Sequence, residues 1–373
     1  MTGLSTNAIH ADQIHNRVTD VVPPINVSTT YRYPLNPDDF TLAKDFPKDY
    51  DYNTEAPYYS RLAHPNSTRC ESVLGEVCEG EVVVYNSGLS AFFAAVTHFN
   101  PKVVAIGKGY YGCHGILHLL ERNYGVKAVG FDQLDQLGEG DLIHVETPEN
   151  PYATVHDLTY YVNEAKKRGA KVLVDSTFAP PPLSQPLDFG VDMVMHSATK
   201  YFGGHSDLLA GCLITKDKSV KLQLVSDRIF LGTNIGNLEA YLLLRAMRTY
   251  ELRIKTQSET AKKMVQHIIK NKEKYPKIAK IYHDSIQEDD FVKKQMKGSS
   301  PVFSIELTSS DDARRFPSKL KYFQHATSLG GVESLIEYRP MSDATAPLTV
   351  LRVSCGIENV EDLIADFDQA LSQ

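Results

Sequence analysis

Residues 192–211 read DMVMHSATKYFGGHSDLLAG, and the reading of this stretch decides the fold. It opens with alternating apolar residues, Met193 and Met195, and then turns abruptly to small hydroxyl residues, Ser197 and Thr199. Lys200 follows, and after it the glycine pair Gly203 and Gly204. An apolar strand ending in Ser-x-Thr-Lys sets two hydroxyls and one amine at the rim of a sheet. Hydroxyls and backbone N–H groups at such a rim bind a phosphate, and a lysine amine condenses with an aldehyde. A ligand carrying both groups suits the stretch. Taken alone, it also reads as a strand end with an exposed lysine.

Working outward towards the N-terminus, short β-rich runs recur at 81–85 (EVVVY), 103–106 (VVAI), 127–131 (KAVGF), 142–146 (LIHVE), 171–175 (KVLVD) and 192–196 (DMVMH). Polar or amphipathic segments separate them, and 158–168 is the clearest helix. Strands alternating with helices predict an α/β fold with a mainly parallel sheet covered on both faces. Ligands of such sheets sit at the carboxyl ends of the strands. Ser87, Tyr111, the 146–150 stretch, Asp175 and Lys200 all fall at those ends. A dinucleotide-binding domain is the fold-level rival, but no G-x-G-x-x-G opens any of the helices.

Towards the C-terminus, 237–275 is helical in pattern, as one long linking helix or two helices, broken by Pro276. Residues 301–307 and 349–355 then read as strands, and 311–321 and 359–371 as helices. This predicts a smaller α+β domain. Residues 1–58, rich in Asp, Asn, Pro and Tyr, carry no sustained period and read as an extended arm with short turns. The expected division is an arm at 1–58, a cofactor domain at 59–240 and the C-terminal domain at 241–373.

Four positions carry the chemistry. Asp175 ends an apolar strand 25 positions before Lys200, enough for a crossover to a neighbouring strand end. A carboxylate held there needs a cationic or hydrogen-bonding partner. The pyridine nitrogen of pyridoxal phosphate is one, and an N-cap or turn role is the plainer reading. Asn86-Ser87-Gly88-Leu89-Ser90 feeds the helix-like AFFAAVTHF, and small residues before a helix make either an anion site or a simple cap. Tyr111, in the glycine-rich GYYGCHG, is placed to stack on a flat heterocycle, with Tyr110 as a rival. Arg352 is a charge inside the apolar strand VLRVS, and its fork matches a carboxylate of a substrate or of a structural Asp or Glu. His114 and His118 stand four apart with no third ligand in view, so no metal is expected.

The chain is 373 residues long, with 42% hydrophobic and 23% charged residues and a net charge of -7. That balance is of an ordinary soluble globular protein and argues against a nucleic-acid binder, which concentrates positive charge. Five scattered cysteines without C-x-x-C suit a reducing compartment. With neither a signal-peptide pattern nor an apolar run of membrane-spanning length, a cytoplasmic protein away from membranes is expected.

At these residues the sequence resembles the Cys/Met-metabolism, or trans-sulfuration, family of pyridoxal-phosphate enzymes: cystathionine γ-lyases, β-lyases, γ-synthases and relatives. The resemblance runs through AIHADQ, VVPPINVSTTY, Tyr59-Ser60-Arg61, NSGLSA, YYG, ETPENP, VDSTF, SATKYFGGHSD, SLGGVESL and LRVSCGIE. It implies an aminotransferase-like (fold type I) large domain with a seven-stranded type of sheet, and pyridoxal 5'-phosphate as cofactor. It implies that Lys200 carries the cofactor and shuttles protons, that Asp175 pairs with the pyridine nitrogen, and that Tyr111 stacks on the ring. By the same resemblance Ser87, Gly88, Leu89, Ser197 and Thr199 bind the phosphate, and Thr177 belongs to the cofactor set. Tyr59 and Arg61 reach the phosphate of a neighbouring subunit in a homotetramer built of two active dimers. Asn150, Ser328 and Arg352 hold the substrate's α-carboxylate.

The departures concern the substrate. His64-Pro65-Asn66-Ser67-Thr68 stands where the family has Asn-Pro-Thr, Thr327 where the γ-enzymes carry Glu, and Arg339-Pro340-Met341-Ser342-Asp343 lacks their Met-Thr-His. Loss of a charge at Thr327 and of a wall at 339–343 predicts a permissive C–S lyase for cystathionine-like sulfur amino acids. The alternatives are γ-replacement on an O-acylhomoserine and a cofactor-binding protein with little turnover.

Overall fold

In the computed structural model, which describes residues 2–47, 50–52 and 57–372, the β-rich runs of the first half assemble into one sheet. Its strands are β1 (Glu81–Tyr85), β2 (Val103–Ile106), β3 (Lys127–Val129), β4 (Leu142–Glu146), β5 (Lys171–Asp175), β6 (Met193–His196) and β7 (Gly211–Thr215). Their order across the sheet is β1-β7-β6-β5-β4-β2-β3. β3, β2, β4, β5 and β6 pair in parallel, while β7 runs antiparallel between β6 and β1. β1 therefore points the same way as β6. The carboxyl ends of β1, β2, β4, β5 and β6 share one edge, which gathers the residues expected there.

The helices are α1 (Leu4–His10), α2 (Pro65–Cys78), α3 (Gly88–Phe99), α4 (Tyr111–Tyr124), α5 (Leu158–Arg168), α6 (Lys218–Leu231), α7 (Asn237–Met247), α8 (Tyr250–Lys270), α9 (Asp290–Gln295), α10 (Ser310–Arg315) and α11 (Val360–Leu371). Alternate strand residues feed opposite layers. Val82, Val84, Val172 and Val174 pack with residues of α2, α5 and α7, whereas Val83, Tyr85, Leu173 and Met193 pack with residues of α3, α4 and α6. Burial on both faces explains why these strands read as continuous apolar runs.

The second half holds a five-stranded sheet of β8 (Ile278–Tyr282), β9 (Val302–Leu307), β10 (Gln324–His325), β11 (Leu335–Tyr338) and β12 (Val350–Ser354), in the order β10-β11-β12-β9-β8. Phe303, Ile305, Leu351 and Val353 pack there with residues of α8 and α11.

Of the two readings left open for the long helical run, two helices form, α7 and α8, both ending before Pro276. Three details differ from the sequence reading. The 311–321 helix stops at Arg315 and continues as a 3-10 turn over Phe316–Lys319, because Pro317 has no N–H to extend the α ladder. β3 ends at Val129, before Phe131 begins a 3-10 turn. The arm is not wholly extended, since α1 forms at its start. Tertiary contacts hold α1 down: Asp12, 1% exposed, accepts from Arg69 of α2 at 3.0 Å and from Arg248 at 2.8 Å. Residues 48–49 and 53–56 of the expected arm lie outside the described residues. Among the described residues no helix is long and apolar enough to cross a membrane.

Candidate active site

Lys200 lies in the turn that leaves β6, its N–H bonded to Ser197 O at 3.0 Å. Gly330 crosses behind it with φ +86°, and a Cβ there would meet the Lys200 carbonyl carbon at 2.8 Å, so only glycine fits. The Lys200 amine donates to Ser328 Oγ at 2.8 Å. Ser328 is itself strained, at φ +79°, a conformation that persists in non-glycine residues only where the surroundings over-determine it. Burial, and then the positive charge of Arg352, bring the Lys200 amine down to about 8 against a weaker pull from Glu337.

Asp175 ends β5 one strand away and is buried. Its Oδ1 accepts from the Thr177 N–H at 2.9 Å and the Thr177 hydroxyl at 2.6 Å, which leaves Oδ2 for another partner. Thr177 Oγ1 in turn accepts the Ser197 N–H at 2.9 Å, tying the ends of β5 and β6 together. Desolvation raises the Asp175 carboxyl, the Thr177 bonds working against it. Glu146 ends β4 in register with Asp175. Burial and then the neighbouring Asp175 push it up too, although it accepts the N–H groups of Tyr110 and Asn150 at 2.6 and 2.9 Å.

The phosphate-sized end is the N-terminus of α3. Ser87 caps it, accepting from Ser90 N at 3.1 Å, and the helix offers no acceptor to the N–H groups of Gly88 and Leu89. A Cβ on Gly88 would lie 3.0 Å from Ser197 Cβ, so a glycine keeps this cradle open. Thr199 Oγ1 accepts from Ala210 N at 2.9 Å and donates to Ala210 O at 3.1 Å.

At the opposite end Arg352 donates to Asn150 Oδ1 at 3.0 Å and to Ser328 O at 2.8 Å. Its acidic partner in the protein is Glu337, 2.6 Å away and in register across β11 and β12. Burial alone would raise the Glu337 carboxyl, but Arg352, the Ser342 hydroxyl and Arg339 hold it below the usual range.

A cavity of about 400 Å³ collects the groups from all these ends, including Ser87, Asp175, Lys200 and Arg352. Tyr111 lines it as the first residue of α4 rather than as part of a loop; its ring lies 4.8 Å from that of Tyr110. Thr327 lines it too, but the stretch 339–343 does not leave a gap. Residues 339–341 fold into a 3-10 turn, and buried Arg339 and half-buried Ser342 stand in the wall. Tyr59 and Arg61 are not brought to this cavity. Both are exposed, with the Arg61 guanidinium 5.5 Å over the Tyr59 ring and donating to Ile229 O at 2.9 Å. His114 and His118 are on one helix, yet among the described residues no three potential ligands gather for a metal.

Glu337 and Arg339 were missed in the sequence. The signal was a pair of charges at alternate positions of the run LIEYR, facing a third in VLRVS. The donor set fits pyridoxal phosphate: an amine that loses its proton easily for the aldehyde, a buried carboxylate with one free oxygen for the pyridine nitrogen, and a glycine-cleared helix N-terminus for the phosphate.

A family model described as Cys/Met metabolism PLP-dependent enzyme matches residues 5–372. The cystathionine gamma-synthase of Escherichia coli (strain K12) is 35% identical over 374 residues, covering 93% of this chain and 92% of that protein. The cystathionine beta-lyase of Lactococcus lactis subsp. cremoris (strain MG1363) is 31% identical over 401 residues, covering 100% of both. The crystal structure of metB from Corynebacterium glutamicum superposes with a TM-score of 0.89 at 27% identity, covering 100% of this chain and 98% of that one.

Proposed function

The chain belongs to the Cys/Met-metabolism family of PLP-dependent enzymes, and on that premise we propose that it eliminates across a C–S bond of cystathionine-like sulfur amino acids. It has the aminotransferase-like fold of that family, and its cofactor is pyridoxal 5'-phosphate. When bound, the cofactor supplies an electron sink conjugated to the substrate's α-carbon.

The protein's own groups do the rest. Arg352, oriented by Asn150 and Ser328, takes the α-carboxylate and so fixes which bond at Cα faces Lys200. Lys200, with its amine near 8 and its proton shared towards Ser328, takes the α-proton and returns a proton to the leaving sulfur. Asp175 Oδ2 would hold a proton on the ring nitrogen, while Thr177 keeps the carboxylate in place. Tyr111 would stack on the ring. Ser87, Gly88, Leu89, Ser197 and Thr199 would hold the phosphate. Tyr59 and Arg61 complete that set from a second copy of the chain, in a cytoplasmic homotetramer. We read residues 1–58 as the arm, 59–240 as the cofactor domain and 241–373 as the smaller domain.

The observation that carries this reading is the deprotonable amine of Lys200 set, through Ser328, beside the guanidinium of Arg352 in one cavity. The similarity to the E. coli synthase favours a second reading, γ-replacement on an O-acylhomoserine. Product analysis of the purified holoprotein decides. Pyruvate or 2-oxobutyrate from cystathionine, lost in Lys200→Ala, is the expected result. A new thioether from O-acylhomoserine and cysteine, without keto acid from cystathionine, selects the second reading. No product from any of these substrates makes the chain a cofactor-binding protein.

A further inference from the structure

Beyond Arg352, the cavity wall holds a second guanidinium that the chemistry above does not use. Arg339 is 4% exposed and lines the same cavity as Lys200. Its Nη1 donates to Glu337 Oε2 at 2.9 Å, and its Nη2 reaches Asp343 Oδ2 only at 3.5 Å. Its buried Nε–H has no partner. A buried donor left unpaired is costly, and a guanidinium offers its donors as a planar fork that suits an anion. Glu337 sets one negative charge against two guanidiniums. Its Oε2 already touches Arg352 at 2.6 Å and Arg339 at 2.9 Å, and its Oε1 accepts the Ser342 hydroxyl at 2.5 Å.

The order of contacts says what Arg339 is for. From the reacting amine they run Lys200 to Ser328 (2.8 Å), Ser328 to Arg352 (2.8 Å), Arg352 to Glu337 (2.6 Å), Glu337 to Arg339 (2.9 Å) and Arg339 to Asp343 (3.5 Å). An α-carboxylate is bonded directly to the reacting carbon, so it belongs near the start of that line, at Arg352. Arg339 comes two contacts later, towards half-exposed Asp343. We propose that Arg339 is a specificity-determining residue that binds an anionic group at the far end of the substrate's side chain, a carboxylate or phosphate, in exchange for the loose contact with Asp343. This deepens the reading of the cavity as an amino-acid site. It shifts selection of a cystathionine-like substrate from the distal ammonium, for which Thr327 offers no charge, to the distal carboxylate.

The test needs no turnover. L-2-aminoadipate and L-norleucine differ at the side-chain end by a carboxylate and carry no leaving group, and their affinities for the holoenzyme are measured by calorimetric titration. The expected result is that 2-aminoadipate binds roughly tenfold tighter or more. Arg339→Gln should bring the ratio to about one with norleucine affinity retained, and Arg339→Lys should restore part of it. A wild-type ratio near one overturns the proposal. So does an equal loss for both ligands in Arg339→Gln, which would place Arg339 on the α-carboxylate. Should Arg339→Gln fail to hold the cofactor, Asp343→Asn decides: a raised ratio supports the proposal and an unchanged one overturns it. Because neither ligand has a C–S bond, a failed elimination assay leaves this result standing, and the reverse holds too.

Discussion

The amine of Lys200 is about 8 where an ordinary lysine is 10.5, and burial is the main reason, with Arg352 adding to it. An amine condenses with an aldehyde only in its neutral form, so the lowered value makes neutral amine available near physiological pH. The sign follows directly: the neutral fraction rises as pH passes upward through about 8 rather than through 10.5. Uptake of pyridoxal phosphate by the cofactor-free protein, followed by absorbance after mixing, should therefore accelerate with pH and level off above that point. In Arg352→Gln the midpoint should move upward, because a positive neighbour is lost and Glu337 is left to favour the charged amine. A midpoint near 10 in the wild type would contradict the burial argument. Lys200 and Asp175 were legible because each is announced by its own strand and the small residues after it. Glu337 and Arg339 were not, because their meaning lies in Arg352, more than ten residues away and visible only once β11 and β12 are in register.

Elements show the same division between local and non-local signals. The parallel strands were legible since burial on both faces leaves unbroken apolar runs, but an apolar run does not encode direction, and the reversed β7 was missed. α2 has an apolar stripe at Cys70, Val73, Leu74, Val77 and Cys78, yet its start went unread. Its N-cap is His64, whose ring accepts from Ser67 N at 3.2 Å, in place of the usual hydroxyl or carboxyl cap. Buried Glu71 of α2 ties three elements together. Its Oε1 accepts from Val84 N of β1 at 3.0 Å and from Arg228 of α6 at 2.7 Å, and Arg228 donates to Val84 O at 2.8 Å. Truncating one member of a buried ion pair removes a charge that the other faces in a dry site, at up to about 3–5 kcal/mol. Glu71→Ala should therefore lower the urea midpoint markedly, and Glu71→Gln, which keeps an acceptor, by less. Equal midpoints for Glu71→Ala and the wild type would mean that α2 and α6 are held by apolar packing alone.

At the scale of the whole molecule, the cavity keeps exposed apolar groups in its lining. Tyr111 is 56% and Leu209 63% exposed although both line it, and Phe230, next to the Ile229 carbonyl that anchors Arg61, is 86% exposed. Along the arm Val21 and Leu35 are 98% and 93% exposed. Exposed apolar residues of this kind suit an interface with another chain. In the assembly proposed above, a second copy would cover them, and each chain would supply what its partner's cavity lacks. The residues without a role in their own chain's cavity are Tyr59 and Arg61, and Arg61 carries the charge that a phosphate would need. The consequence is quantitative. Arg61→Ala and Lys200→Ala should each be nearly inactive, one lacking the donated guanidinium and the other the amine. Unfolded together in equal amounts and refolded with cofactor, they form mixed dimers in which one of the two cavities has both residues intact. About a quarter of wild-type activity should return, since half the dimers are mixed and each mixed dimer has one complete cavity of two. Mixing without unfolding should return less, at a rate set by subunit exchange. If mixed dimers, verified by mass, remain as inactive as the parents, each chain's cavity works alone and Arg61 acts within its own subunit.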